Sequence, residues 1–267
     1  MLQTADSLNN LSQDTTRLRI GLGTLVAIEA EANTARRAMW GIEAAFAVIE
    51  QVDKLMHPAR IGSDLAAIHR GKSGTPVALH VWTWEVLALS RRLNQISRGA
   101  FDPCLPDSPG RLADLEFAPP NSVILHKPLH IDLGGIAKGF AVDRALLALR
   151  AAGCHSGLVN AGGDLAVFGD RSRPVVIRSR DGDRVIDLKN AALATSDVSC
   201  GARPAEHRGY YHGDNRRAIT AGSVTIGAAS AAMADALTKW LLADDGATSA
   251  AWLAMLGAQL VAYEVRA

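Results

Sequence analysis

The sequence has little of three features that would each point to a particular class of protein. It has only three cysteines in 267 residues, an odd number with no C-x-x-C pair. This argues against a disulfide framework or a thiolate zinc site and fits a reducing compartment. The zinc motif H-E-x-x-H does not occur. No apolar run reaches the roughly 18–20 residues that cross a bilayer.

The sequence also has no large excess of charge of either sign. The 28 basic and 27 acidic residues are mixed along the chain, which leaves no basic patch for nucleic acid or a membrane surface. Residues 1–16 are polar and lack the pattern of a signal peptide, so we predict a disordered tail there. The expected location is the cytoplasm as the sequence stands, or the periplasm or cell envelope if the N-terminus is shortened.

What the sequence does contain is enough apolar material for a large core, at 48% of residues. Long helical patterns alternate with hairpin patterns, which predicts an α+β fold with antiparallel sheets rather than a doubly wound parallel sheet. We expect one domain over residues 17–267, and a division of it into two subdomains stays open. Residues 17–31 read as one period-two strand, residues 105–121 as irregular, and residues 122–133 as two strands turning at Lys127-Pro128.

The segment "DLGGIAKGFAVD" predicts a strand end, a glycine turn and the start of a helix that carries Lys138 in its first turn. A cation at this end of a helix is unfavourable by about 0.3–1 kcal/mol unless something negative lies nearby. Either Lys138 points into water, or an anion binds at the turn, where glycines and free N–H groups can receive phosphate oxygens. Asp132 would suit a hydroxyl, a ring N–H or a metal.

Two further segments of small residues are ambiguous by themselves. "NAGGD", residues 160–164, places a carboxylate after a Gly-Gly pair, which a hairpin turn also explains. "ALATSD", residues 192–197, reads as a loop in which Thr195 and Ser196 could reach a ligand.

The helix "SAAMADALTKWLLA" places Asp235, Thr238 and Lys239 opposite its apolar face. One interpretation is a solvated face with an Asp–Lys pair at i, i+4. The other is that Asp235 binds a hard cation such as Mg²⁺ beside a phosphate.

Taken together and in this order, the segments resemble the ApbE family, the FAD:protein FMN transferases. "LGT" at residues 22–24 is similar to the opening M-G-T of that family, and "GAFDP" at residues 99–103 to its G-x-F-D-P loop. "DLGGIAKGFAVD" is close to the most specific signature, and "NAGGD", "ATS" and "ADAL" follow in the order of the family. The resemblance spans roughly residues 19–243 and implies an ApbE-like, T-fold-related architecture.

The resemblance also implies a reaction and its site. FMN would pass from FAD to a threonine of an acceptor flavoprotein, with release of AMP and assistance from Mg²⁺. Asp235 and the carbonyl of Gly135 would hold the metal, and the turn before Lys138 and the carboxylate of Asp235 would converge on one diphosphate pocket. The residues implied to bind the flavin cofactor are Leu22, Ala100, Phe101, Asp102, Asp132, Lys138 and Thr195.

The chain departs from the family pattern at three places. Ala59 stands at the position of a tyrosine near the flavin, and Lys239 stands where a threonine serves as a further metal ligand. The segment H-I-I-D-P-x-T-G is not intact, and His212 and Asp214 are the nearest candidates for its catalytic pair. Three alternatives therefore stay open: FAD hydrolysis to FMN and AMP, a flavin-binding protein without turnover, and a structural domain without a ligand.

Overall fold

The structure is a computed structural model that describes residues 13–178, 182–198, 219, 222–244 and 249–264. These residues form strands and helices of an α+β fold, as predicted. The strands are β1 Gln13–Gly21, β2 Thr24–Ala32, β3 Pro76–Ala78, β4 Leu115–Ala118, β5 Ser122–Leu125, β6 Ser156–Ala161, β7 Asp164–Phe168, β8 Arg173–Ile177, β9 Arg184–Leu188, β10 Ala192–Asp197, β11 Ser223–Ala228 and β12 Gln259–Glu264. The helices are α1 Ala35–Met56, α2 Asp64–His69, α3 Val81–Ile96, α4 Ala137–Ala151, α5 Ala231–Ala243 and α6 Ser249–Met255.

The described strands form one large sheet and two small ones, with antiparallel pairing throughout. The large sheet has the order β1-β2-β6-β7-β10-β11-β12, the second β3-β5-β4, and the third is the β8-β9 hairpin. Hydrophobic residues of β7 and β10 form a small core with this hairpin. A larger core joins the main sheet to the helices.

Helices α1, α4 and α5 lie against the main sheet and against one another. The start of α4 lies where the segment "DLGGIAKGFAVD" predicts it, and α5 lies within the predicted helix "SAAMADALTKWLLA". Thr34 caps α1, Ser63 caps α2 and Ser230 caps α5, each by accepting a hydrogen bond from a backbone N–H of the first turn. Among the described helices, none is long and apolar enough to cross a bilayer.

The single strand predicted for residues 17–31 is wrong. The chain reverses at Leu22 and Gly23, whose φ angles of 54° and 71° form a two-residue hairpin turn between β1 and β2. Leucine rarely adopts a positive φ, so the turn carries no clear sequence signal. The strand β1 begins at Gln13, inside the stretch predicted as a tail, while residues 1–12 lie outside the described part.

Three smaller predictions also fail. Thr195 and Ser196 lie in the central strand β10 rather than in a loop, because β7 and β11 flank that strand on both sides. The region predicted to be irregular contains β4, which pairs with β5. The second strand predicted before Asp132 is reduced to one bridge between Ile131 and Cys104.

Candidate active site

The turn that leads into α4 is held by its own aspartate. The Oδ1 atom of Asp132 accepts a hydrogen bond of 2.7 Å from the backbone N–H of Gly134. Ile136 occupies the N-cap position of α4 and provides no side-chain cap. Backbone N–H groups of a first turn need partners from outside the helix when no cap supplies them.

The loop that follows α3 is attached to this turn. Asn94 donates a 2.8 Å hydrogen bond to the carbonyl of Phe101, and Asp102 accepts one of 3.0 Å from the N–H of Cys104. The N–H of Asp132 in turn donates to the carbonyl of Pro103 at 2.9 Å. Two segments about thirty residues apart are thereby fixed side by side.

Between them lies a pocket, here called the main pocket. Its walls include four of the residues predicted to bind the flavin, one predicted metal ligand, and Lys239 from α5. The lining residues are Ala100, Phe101, Asp102, Pro103, Cys104, Leu105, Asp132, Gly135, Ile136, Ile219 and Lys239. Two segments that the resemblance assigned to the flavin therefore line one pocket.

A second pocket, here called the side pocket, shares Asp132 with the main pocket. Leu22 and His57 also line it. The N–H of Ala59 donates to Nδ1 of His57 at 3.2 Å. The predicted site residue Leu22 thus lines a pocket at the same turn, but not the main pocket.

Beneath the turn lies a buried charge cluster, which consists of Lys138, Asp164, Asp235 and Lys239. Lys138 forms an ion pair with Asp164, and Lys239 forms one with Asp235. Both carboxylates are fully buried. The N–H of Gly139 donates to Oδ2 of Asp235 at 3.2 Å, which joins α4 to α5. The ambiguous faces of both helices are therefore buried around opposite charges rather than solvated.

The two carboxylates of the cluster differ in pKa although both are buried. Burial, reinforced by the charge of Asp235, raises the pKa of Asp164 to about 6 against the opposing effect of Lys138 and Lys239. Burial also disfavours the charged form of Asp235, but Lys239 and Lys138 hold its pKa below the ordinary value. Asp235 thus remains an anion, while Asp164 changes charge near neutral pH.

The sequence and the fold were compared with known proteins. A sequence model described as the ApbE family matches residues 22–108 and 107–262, which is most of the chain. This chain belongs to the ApbE family. No curated protein sequence matches it.

Solved structures of ApbE proteins share the fold. A variant of the flavin transferase ApbE from Vibrio cholerae superimposes with a TM-score of 0.83 at 19% identity, covering 96% of this chain and 95% of the other. For the flavinyl transferase ApbE of Pseudomonas stutzeri the TM-score is 0.81 at 19% identity, with coverage of 96% and 92%. For the ApbE protein of Thermotoga maritima the TM-score is 0.77 at 22% identity, covering 95% of this chain and 97% of the other.

Not every residue predicted for the ApbE site reaches the main pocket. Thr195 lies on β10, where its hydroxyl is 2.9 Å from that of Thr225 and its Cβ lies close to the Gly162-Gly163 turn. His212 and Asp214 lie outside the described residues, so their catalytic role stays a prediction. The assignments of the other ApbE site residues stay predictions too.

The buried charge cluster adds residues that sequence reasoning had not selected for the ApbE site. Asp164 begins β7, in which every residue is buried. Because a buried carboxylate needs a partner, an aspartate in an apolar strand is a sequence signal that could have identified Asp164 as a site residue. Ser196, also buried, accepts a 2.7 Å hydrogen bond from Nζ of Lys239. Its partner could not be predicted, because 43 positions separate the two residues.

The metal that the ApbE resemblance implies does not fit the donors as they stand. Mg²⁺ requires about six oxygen ligands at 2.0–2.1 Å. The carboxylate of Asp235 is already bound to the ammonium group of Lys239, whose aliphatic stem lies against Gly135. Among the described residues, no group of three or more His, Cys, Asp and Glu side chains could hold a metal ion. The predicted Mg²⁺ stays a prediction, and we derive no chemical step from it.

Proposed function

We propose that this protein is a flavin transferase that takes FAD as its substrate and transfers FMN to a threonine of an acceptor protein. The threonine Oγ attacks the FMN phosphorus and forms a phosphoester bond. The diphosphate bond of FAD breaks at the same phosphorus, and AMP leaves. The hydroxyl proton passes to a base, for which His212 and Asp214 are the predicted candidates.

One observation is the main support for this proposal. The segments at residues 99–104 and 132–136 are far from Lys239 in sequence, yet all three line the main pocket. Family membership suggests the chemical identity of the ligand, and two similar solved structures are those of flavin transferases.

The chemistry of the main pocket suits a dinucleotide. The apolar wall formed by Phe101 and Ile136 can contact a flavin ring, and the carboxylates of Asp102 and Asp132 can accept hydrogen bonds from ring N–H or hydroxyl groups. The ammonium group of Lys239 offers positive charge for a diphosphate. Each group would bind or orient FAD, and the acceptor would approach from solvent.

The direct test is to incubate the purified protein with FAD and a candidate acceptor and to follow the acceptor by intact-mass spectrometry and the nucleotides by chromatography. We expect an FMN-sized increase in mass with an equal amount of AMP. Free FMN with AMP would instead indicate hydrolysis, and bound, intact FAD would indicate a flavin carrier. Both outcomes contradict the transferase proposal.

A matched pair of variants tests the site. Asp132→Asn keeps an oxygen that can accept from Gly134 N–H but removes the charge, so the turn should persist while transfer slows by about 10- to 100-fold, the loss expected for one charged hydrogen bond. Asp187→Asn makes the same change on the exposed face of β9, outside both pockets. Equal transfer rates for the two variants would remove Asp132 from the site.

A further inference from the structure

Oxygen atoms of three residues surround the ammonium group of Lys239. Nζ of Lys239 donates to a carboxylate oxygen of Asp235 and, at 2.7 Å, to the hydroxyl of Ser196. The hydroxyl of Thr238 lies 2.6 Å from that of Ser196 and donates to the carbonyl of Asp235 at 2.6 Å. Three residues of this oxygen-rich group are buried completely or almost completely: Ser196, Asp235 and Thr238.

The aliphatic stem of Lys239 lies against Gly135. A Cβ atom placed on Gly135 would lie 3.1 Å from Cγ and 3.4 Å from Cε of Lys239. Gly135 and Asp235 are the two residues predicted to ligate a metal, and Lys239 contacts both. A divalent cation bound to both would therefore have to displace the lysine.

The charges of the cluster are already balanced. Two carboxylates, Asp164 and Asp235, face two ammonium groups, Lys138 and Lys239. A protonated lysine offers three N–H donors and no lone pair, so it cannot be a metal ligand. Because interactions between buried charges are screened weakly, a divalent ion added beside both ammonium groups would be repelled.

From this geometry we infer that the ammonium group of Lys239 takes the position of the divalent cation, so that a dinucleotide diphosphate binds in the main pocket without Mg²⁺. The identity of that ligand rests on the proposed function. The occupancy of the cation position does not, because it can be measured on the protein alone.

The test is a titration of the protein with Mn²⁺, without nucleotide, followed by the electron paramagnetic resonance of the free ion. We expect no stoichiometric binding to the wild type at submillimolar Mn²⁺. Lys239→Thr supplies a hydroxyl oxygen and removes the ammonium group, so it should bind one Mn²⁺ per chain at least tenfold more tightly than the wild type. Stoichiometric binding to the wild type, or no gain in the threonine variant, would overturn the inference.

The chain offers a matched control on its surface. Lys54 and Glu50 form an i, i+4 pair at 2.7 Å on the exposed face of α1, with the same spacing as Lys239 and Asp235. Lys54→Thr should leave Mn²⁺ binding as weak as in the wild type. Tight binding to this variant would show that any broken Lys–carboxylate pair makes such a site, and would overturn the inference.

Loss of Lys239 leaves the buried carboxylate of Asp235 without its nearest cation, so a second measurement guards against misfolding. Millimolar Mg²⁺ should raise the Tm of Lys239→Thr and leave those of the wild type and Lys239→Met unchanged, because methionine fills the space beside Gly135 without an oxygen donor. A Tm that rises equally in all three proteins would contradict the inference. If the threonine variant does not fold, the wild-type Mn²⁺ titration decides alone.

Binding of FAD separates this inference from the proposed function. The Kd of FAD, measured by flavin fluorescence polarisation, should be the same in EDTA and in Mg²⁺ for the wild type. A tenfold or larger gain with Mg²⁺ would overturn the inference. No FAD binding under either condition would refute the proposed function and the diphosphate part of the inference, while the Mn²⁺ result would still decide which cation fills the position.

Discussion

At the scale of single residues, the environment of Asp164 makes one contribution to how this protein responds to pH. The carboxylate is buried at the start of β7, and one of its oxygens, Oδ1, has no hydrogen-bond partner among the described residues. Its other oxygen pairs with Lys138. Burial first, and the charge of Asp235 second, raise the pKa of Asp164 to about 6. An aspartate in the unfolded chain titrates near pH 4.

This difference predicts a pH-dependent contribution to stability. Between about pH 4 and 6 the native chain keeps a proton on Asp164 that the unfolded chain has lost. The contribution of this group to the free energy of unfolding is therefore complete below about pH 4 and is lost as the pH rises to 6. Urea unfolding of the wild type and of Asp164→Asn from pH 4 to 7 should show the wild type losing roughly 2–3 kcal/mol relative to the variant.

The exposed Asp187→Asn provides the control for replacing an aspartate at a position outside the buried charge cluster. A constant difference for Asp164→Asn would show that the native carboxyl titrates as it does in the unfolded chain. That result would contradict the raised pKa.

At the scale of secondary-structure elements, a second carboxylate, that of Asp143, joins α4 and α5 in addition to Asp235. The two oxygens of Asp143 accept hydrogen bonds from the N–H groups of Ala231 and Ala232, at 2.7 and 2.9 Å, at the N-terminus of α5. The helices also approach closely, since a Cβ on Gly139 would overlap the carbonyl of Ala231 and lie 2.7 Å from the N atom of Ala232. This junction positions Asp235 of α5 beneath the turn that begins α4.

Asp143→Ala should therefore lower the free energy of unfolding by about 2–3 kcal/mol, because two N–H groups lose a charged acceptor. Thr34→Ala, which removes the exposed cap of α1, should cost only about 1 kcal/mol. Chemical denaturation at neutral pH measures both. If Asp143→Ala lowers the free energy of unfolding by no more than Thr34→Ala does, Asp143 is not the main link between α4 and α5.

At the scale of the whole molecule, a ligand in the main pocket would contact parts of the chain that are distant in sequence. FAD at one hundred times its Kd should raise the free energy of unfolding by about 2.7 kcal/mol. Hydrogen exchange with and without FAD should show protection in residues 99–105, in residues 132–139 and around Lys239 together. Protection confined to residues 33–40, which line a separate surface groove, would place the ligand elsewhere.

The sequence predicted elements best where the signal is local. The positions of α4 and α5 follow from apolar spacing and, for α5, from the cap Ser230. It failed at Leu22, because a leucine with positive φ gives no turn signal, and at β10, because small residues are typical of loops and of crowded central strands alike. For the site, motif order brought residues 99–104 and 132–136 together, but it left Asp164 and Ser196 as ambiguous candidates outside the predicted ApbE site.

The sequence by itself determined the family, the α+β class and the two loops of the main pocket, because motifs, helix periods and caps depend on residues close together in the chain. Only the tertiary structure decided that Lys138 pairs with Asp164 and that both carboxylates of the buried charge cluster lie in the interior. Lys138 meets Asp164 across 26 positions, and Gly139 meets Asp235 across 96. Burial and the distance between charges control both the pKa values and the competition between an ammonium group and a metal, and both are properties of the packed chain.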